Sequence, residues 1–229
     1  GHEAAVIAGE PLAGFATRRT LVVGAVEEVG WNEYRAHGGF GSAAAVTTDG
    51  YVLTAAHCLG GRPVSPTVIN MSFPLRPVPS AQARVVWSGW KAGRAGPDLA
   101  LVHVDARALR VDAAFGLTGF DVAALATRVY SVGFGDPPRL RVAAGEVLET
   151  MRHDPVRPGE PAVLEVWTRV PLREGDSGGP TFDGAGRLVG ITSQGRWTLF
   201  DGWSNRTLLP DPVWLQERIE ADRRAQAAR

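Results

Sequence analysis

The feature that most constrains this chain is the rhythm of its apolar runs. "TLVVGAVEEV", "AAAVTTDGYVLTAA", "ARVVWS", "LALVHV", "RVYSVGF", "AAGEVLETM", "AVLEVWTRV", "GRLVGITS" and "TLFDGWS" are rich in Val, Leu, Thr and aromatic residues and are bounded by Gly, Pro or Asp. Runs of this kind fit strands, because β-branched and aromatic side chains pack well on a pleated surface. The breaks fall at intervals of roughly 8–15 residues, as in barrels and sandwiches. "TDGY" marks a hairpin between two such runs, and "FDGAGRL" marks a looser one. One helix is expected, after Asp211 and Pro212, with Val213, Trp214, Leu215 and Ile219 on its buried face and a charged tail running into solvent. The expected class is all-β with a C-terminal α-helix. Residues 1–110 form one β half, 111–125 the connection within an Ala-rich stretch, 126–209 a second β half, and 210–229 the helix and tail.

At 229 residues the chain can hold one large all-β domain or two small ones, each with a real core. Lys plus Arg equals Asp plus Glu at 24 each, which removes any electrostatic reason to expect nucleic acid or an acidic membrane as partner. No apolar run approaches the length of a membrane span. The opening "GHEAAVIAGE" has no basic region followed by an apolar one, so no signal peptide is visible. A single cysteine, Cys58, excludes an internal disulfide framework and a Cys-rich zinc site. No metal or cofactor is expected, and Cys58 reads as a buried small hydrophobe.

The chemistry-bearing stretch is "GDSGGP", residues 175–180. A serine is a poor nucleophile at neutral pH unless a base takes its proton. Of five histidines, His57 stands out, because "LTAAHC" puts it at the end of an apolar strand. The acid that orients such a base must be partly buried and near a strand, and Asp98 in "AGPDLALVHV" meets that need. "GDSGG" also fits the G-x-S-x-G elbow of α/β-hydrolases, which needs a histidine after the serine; none follows Ser177. A subtilisin-like order would need an acid such as Asp49, whose surroundings read as a hairpin tip. The order His57, Asp98, Ser177 remains.

"LTAAHC", "DLALV" and "GDSGGP", in that order and with gaps of 41 and 79 residues, resemble the chymotrypsin/trypsin family of serine endopeptidases. The resemblance spans roughly residues 6–220. It implies two six-stranded antiparallel β-barrels with the site between them. It also implies Ser177 as nucleophile, His57 as general base and then acid, and Asp98 as the group that orients the imidazole. The N–H groups of Gly175 and Ser177 would form the oxyanion hole, and Ser193, Gln194 and Gly195 would pair with substrate as an added strand. Polypeptide substrates, protein inhibitors, a monomeric state and a secreted or cell-envelope location follow from the same resemblance. The competing reading is a non-catalytic protease-like binding module; such proteins usually lose a triad member, and this chain keeps all three.

The departures from the family pattern carry further expectations. The usual cysteine partner of the one after the base is missing near Gly39, Phe40 and Gly41, so Cys58 is expected to be a free, poorly accessible thiol. Pro171 stands at the base of the specificity pocket, where relatives that cut after Arg or Lys carry Asp. With Leu172 as lining and Gly195 and Gly202 leaving the walls open, the implied preference is for Phe, Tyr, Leu or Met before the cut. Asp201, beside Gly202, could reverse it. "VIAG" resembles the family's activated start, whose freed amine, here that of Val6, pairs with Asp176. Because five residues precede Val6, the chain reads as an uncleaved precursor, a chain with added residues, or a branch that holds Asp176 another way.

Overall fold

The computed structural model describes residues 5–24, 26–30, 33–36, 41–59, 67–69, 80–90, 96–109, 111–116, 127–133, 140–200 and 202–229, with backbone only within 24–36 and 67–82. In chain order, β1 (Val6–Ile7) and β2 (Glu10–Pro11) form a short ribbon that leads into α1 (Leu12–Arg19). This helix was not expected, since Gly14 and Thr17 weaken its local pattern. It forms because Leu12, Phe15 and Ala16 fall on one face and are buried by the barrels. Next come β3 (Thr20–Gly24), β4 (Val26–Gly30), β5 (Glu33–Ala36), β6 (Gly41–Ala45), β7 (Tyr51–Thr54), β8 (Thr67–Ile69), β9 (Ser80–Ser88) and β10 (Ala100–Val104). Antiparallel ladders join β10, β7, β6, β3, β8 and β9 into a closed barrel, while β4 and β5 pair apart from it.

After α2 (Ala106–Leu109) come β11 (Arg128–Gly133), β12 (Arg141–His153), β13 (Val163–Thr168), β14 (Pro180–Asp183), β15 (Leu188–Thr198) and β16 (Gly202–Pro210). Their ladders run β11, β12, β13, β16, β15, β14 and return to β11. The alternation of the sequence explains how the two sets of strands share a core. Leu21, Val23, Ala43, Ala45, Val52 and Val102 fill the first barrel. Their neighbours Ala44, Leu53 and Leu101 point the other way and join Phe115, Val132 and Phe182 in a core shared with the second set of strands. Strands buried on both faces read as continuous apolar runs, as β6 and β7 do.

Two of the expected strands differ. "TLVVGAVEEV" is split into β3 and β4, and "TLFDGWS" holds the turn between β15 and β16 rather than one strand. The turn leaves Leu199 and Phe200 exposed.

The C-terminal helix α3 spans Pro212–Ala227, with the Asp211 carboxylate accepting from the Val213 N–H. Leu215 and Ile219 are buried, and Trp214 meets Trp87 edge-on at 4.9 Å. Val213, expected inside, is exposed because it lies on the far side of that face. The charged stretch does not run free. Asp222 accepts from the Tyr51 hydroxyl at 2.7 Å and from Arg84 at 2.8 and 2.7 Å, and Arg223 donates twice to Asp49 at 2.8 Å. The helix that follows the second set of strands is thereby tied to the first barrel. Among the described residues no helix is long and apolar enough to cross a membrane.

Candidate active site

His57 lies in a 3-10 turn, Ala56–Leu59, directly after β7, so the rigid strand fixes where the imidazole starts. Asp98 precedes β10, which pairs with β7, and this brings the two side chains together across a ladder. Asp98 Oδ2 lies 2.7 Å from His57 Nδ1, and Asp98 Oδ1 accepts the His57 backbone N–H at 2.9 Å. Two contacts to one carboxylate hold the ring and its own backbone in one orientation.

The second set of strands adds a third contact. Between Thr192 and Gln194 the register of β15 against β16 shifts by one residue, leaving Ser193 as the bulged position. A bulge re-aims a side chain out of the ladder. Here it turns the Ser193 hydroxyl to donate to Asp98 Oδ2 at 2.7 Å, and Arg206 donates to that same hydroxyl at 3.2 Å. The Ser193 side chain is thereby committed to Asp98, while the strand pairing expected of Ser193, Gln194 and Gly195 concerns their backbone. Burial pushes the Asp98 carboxyl up, but hydrogen bonds from His57 and Ser193 outweigh it and leave the group below the usual carboxylate value. The Asp98 hydrogen bond, helped by the adjacent Cys58 sulfur, pushes His57 up to about 10.

Ser177 sits where the two halves meet. Its carbonyl accepts the Ser42 N–H at 2.7 Å and the Cys58 thiol at 3.4 Å, so the residue after His57 and the serine share one contact. The glycines around it are needed for close approach. At Gly178, with φ of 85°, a Cβ would lie 2.0 Å from the Ser42 carbonyl oxygen. At Gly179 it would lie 2.0 Å from that of Val132. Gly175 also has positive φ, 90°. Neither the Gly175 nor the Ser177 N–H donates to another described residue. The Ser177 hydroxyl makes no hydrogen bond with His57 among the described residues. Cys58 is free and half-buried, its sulfur packed against Gly41.

In this chain Val6 follows Ala5 and so has no free amine to bring to Asp176; it is the first residue of β1 and 63% exposed, whereas Asp176 is buried. Arg141, at the start of β12, donates to the Asp176 carboxylate at 3.1 and 3.4 Å, and the Arg173 N–H donates to it at 2.8 Å. Sequence reasoning missed Arg141 because nothing local marks it. Among the expected pocket residues, Pro171 is exposed and Leu172 packs against the core. Gln194 and Gly195 are exposed, and Gly202 faces open space. Asn205, opposite Gly195, ties β16 to the Val170 carbonyl and so steadies the strand end before Pro171. Asp201 lies outside the described residues.

Residues 41–191 match the family model of the trypsin-like peptidase domain. The fold is similar to that of the Rv3671c protease of M. tuberculosis. Its inactive form, in a serine-to-alanine mutant, is 16% identical, with a TM-score of 0.62 over 93% of this chain and 91% of that one. Its active form is 15% identical, with a TM-score of 0.62 over 96% and 89%. A serine endoprotease from Yersinia pestis is 18% identical, with a TM-score of 0.61 over 91% of this chain and 65% of that one. No curated protein sequence matches the chain.

Proposed function

The chain belongs to the trypsin-like peptidase family, and from that premise we propose that it is a serine endopeptidase working through an acyl-enzyme on Ser177. The observation that carries this reading is the contact set around His57. The ring is held by Asp98 at 2.7 Å, and the neighbouring Cys58 thiol touches the carbonyl of Ser177. In the first step Ser177 Oγ attacks the scissile carbonyl while His57 Nε2 takes the hydroxyl proton. The positive charge that results on the imidazole is stabilised by Asp98. The tetrahedral oxyanion is met by the N–H groups of Gly175 and Ser177, whose donors are uncommitted among the described residues. His57 then returns the proton to the leaving amine, and water releases the acyl group by the same route in reverse.

Arg141 supports the reading in a second way. In the family pattern a freed N-terminal amine holds the acid before the serine; here a guanidinium reaches that acid. The residues preceding Val6 are then no obstacle to activity, and cleavage of a precursor is not needed to supply a cation. Ser193, Gln194 and Gly195 offer the backbone edge to which substrate adds as a strand. The cut falls after an apolar or aromatic residue, since Pro171 and Leu172 supply no charge for a buried Arg or Lys. A secreted or cell-envelope location and protein inhibitors as partners accord with the family resemblance.

A fluorophosphonate probe tests the reading directly. The chain should be labelled on Ser177, Ser177→Ala should not be labelled, and a peptide library should be cut mainly after Phe, Tyr, Leu or Met. A folded chain that takes no label and cuts no peptide would be a binding module. Preferred cutting after Arg would reverse the specificity.

A further inference from the structure

Strands β15 and β16 outrun the sheet they belong to. Their neighbour β13 pairs with β16 only as far as Thr168 with Asn205. Beyond that point β15 and β16 stay paired through Arg196 with Ser204 and Trp197 with Trp203 to Thr198 with Gly202. The surplus is a two-stranded ribbon whose turn carries Leu199 and Phe200. Its large side chains face solvent: Trp197 is 59% exposed, Leu199 79%, Phe200 95% and Trp203 66%. Trp197 and Trp203 are directly opposite in the ladder and so share one face of the ribbon. Neither the core nor the mechanism uses these four side chains.

Together they expose on the order of a few hundred Å² of apolar surface, since one large aromatic side chain carries roughly 150–250 Å². Exposed apolar residues gathered into one patch, rather than scattered singly, mark a contact site. A second copy of the chain would need about 800 Å² on each side for a stable dimer, and the tip falls well short of that. A lipid surface sets no such minimum, because it closes around a narrow tip from every side. The composition fits lipid as well: Trp suits the headgroup level, and Leu and Phe suit the acyl boundary. The charges decide the kind of lipid. Residues 196–203 hold one base, Arg196, and one acid, Asp201. Arg196 lies over the Trp167 ring at 3.8 Å and pairs with Glu149 at 3.4 Å. At the same end of the sheet Arg169 pairs with Glu146 at 3.3 Å. Paired cations and anions complement headgroups that carry both signs, and they give an anionic bilayer no net charge to attract.

We propose that the ribbon tip docks the protein on a bilayer of zwitterionic lipid, with Leu199 and Phe200 entering the acyl boundary and Trp197 and Trp203 seated at headgroup level. The docking does not depend on the peptidase reading. Its consequence for that reading is one of reach. Gly195, at the end of the proposed substrate edge, stands four residues before Leu199, at most about 13 Å along an extended strand. A docked chain holds its cleft at the lipid surface, and the polypeptides it meets first are those lying on the membrane or emerging from it.

Flotation of the full chain with phosphatidylcholine vesicles tests it. The wild type should bind, and about 0.5 M salt should leave the bound fraction within about twofold, since salt screens charges and not apolar contact. Leu199→Ser combined with Phe200→Ser should weaken partitioning by about tenfold or more. Both side chains are exposed, so this variant should keep the melting temperature and the fluorophosphonate labelling of the wild type. Vesicles with brominated acyl chains should quench the wild-type tryptophan fluorescence, a readout that needs no variant. The proposal is overturned by no binding, by no quenching, by binding that survives the double substitution, or by binding that needs anionic lipid and disappears in salt. A dimer that the double substitution dissolves, with vesicles left unbound, would assign the tip to a second copy and overturn it too. Vesicle binding by a chain that takes no label keeps the docking and removes the peptidase; labelling without vesicle binding does the reverse.

Discussion

Arg141 donates to the buried carboxylate of Asp176 at 3.1 Å, from the start of β12 to the residue immediately before Ser177. The contact fixes the backbone that carries Gly175 and Ser177, since the Arg173 N–H binds the same carboxylate. Removing the Arg141 guanidinium takes one partner from a buried, ion-paired acid, and breaking such a pair typically costs up to about 3–5 kcal/mol. Arg141→Met is expected to lower kcat/KM by about 100-fold, as misplaced reacting groups do, with Arg141→Lys recovering part of the loss. Trimming the chain so that Val6 becomes its first residue should leave the wild-type rate within about twofold. Steady-state kinetics on the three proteins would decide the matter, and a large gain on trimming would show that the amine, not Arg141, governs the site.

Ser193 acts on His57 only through Asp98. Ser193→Ala removes the 2.7 Å donor to Oδ2 and also the acceptor that Arg206 uses. A hydrogen bond to a charged group is worth about 1.5–3 kcal/mol, so kcat should fall roughly tenfold or more while KM changes little. Ser193→Thr, which keeps the hydroxyl, should restore most of the rate. An equal loss in both variants would mean that the bulge, and not the hydroxyl, matters.

The Asp98 hydrogen bond favours the charged imidazole, and His57 must be neutral to accept a proton. Activity should therefore rise with pH along a limb whose midpoint lies above the ~6.5 of a free imidazole and toward about 10. For stability the sign is opposite. The contribution of charged His57 is fully present below the unfolded value and is lost as pH rises through the folded one. Asp98→Asn should shift the activity limb down toward the ordinary histidine range while cutting kcat by orders of magnitude. A pH profile of kcat/KM for both proteins measures this, and a wild-type midpoint at or below 6.5 would refute it.

Asp222 joins α3 to the first barrel through Arg84 and Tyr51. The Arg84 hydrogen bonds, with that of Tyr51 beside them, hold its carboxyl down to about 2. Asp222→Asn should destabilise the fold by about 1–2 kcal/mol at neutral pH, toward the lower end because Arg84 is partly exposed. Since a depressed acid stabilises only while ionised, the difference between the two proteins should persist above about pH 4 and close as pH falls through about 2. Urea unfolding at several pH values would record it; a gap that does not depend on pH would assign the effect to packing.

Local pattern alone determined most of the strands, the start of α3 at Asp211 and Pro212, and the order His57, Asp98, Ser177. Each of these depends on residues close in sequence: alternation along a strand, a cap before a helix, or a tight glycine turn around a serine. Tertiary structure alone decided which charges meet. The face of α3 that carries Asp222 reads as solvated until Arg84 and Tyr51 reach it across 138 and 171 residues. Arg141 looks like any strand-end arginine until β12 brings it to Asp176, 35 residues on. Ser193 reads only as part of a strand edge until the bulge turns its hydroxyl toward Asp98, 95 residues away. Periodicity reports which face of an element is buried. The partner of a buried charge is set by barrel closure and by how the two halves pack, and no window of sequence holds both sides of those contacts.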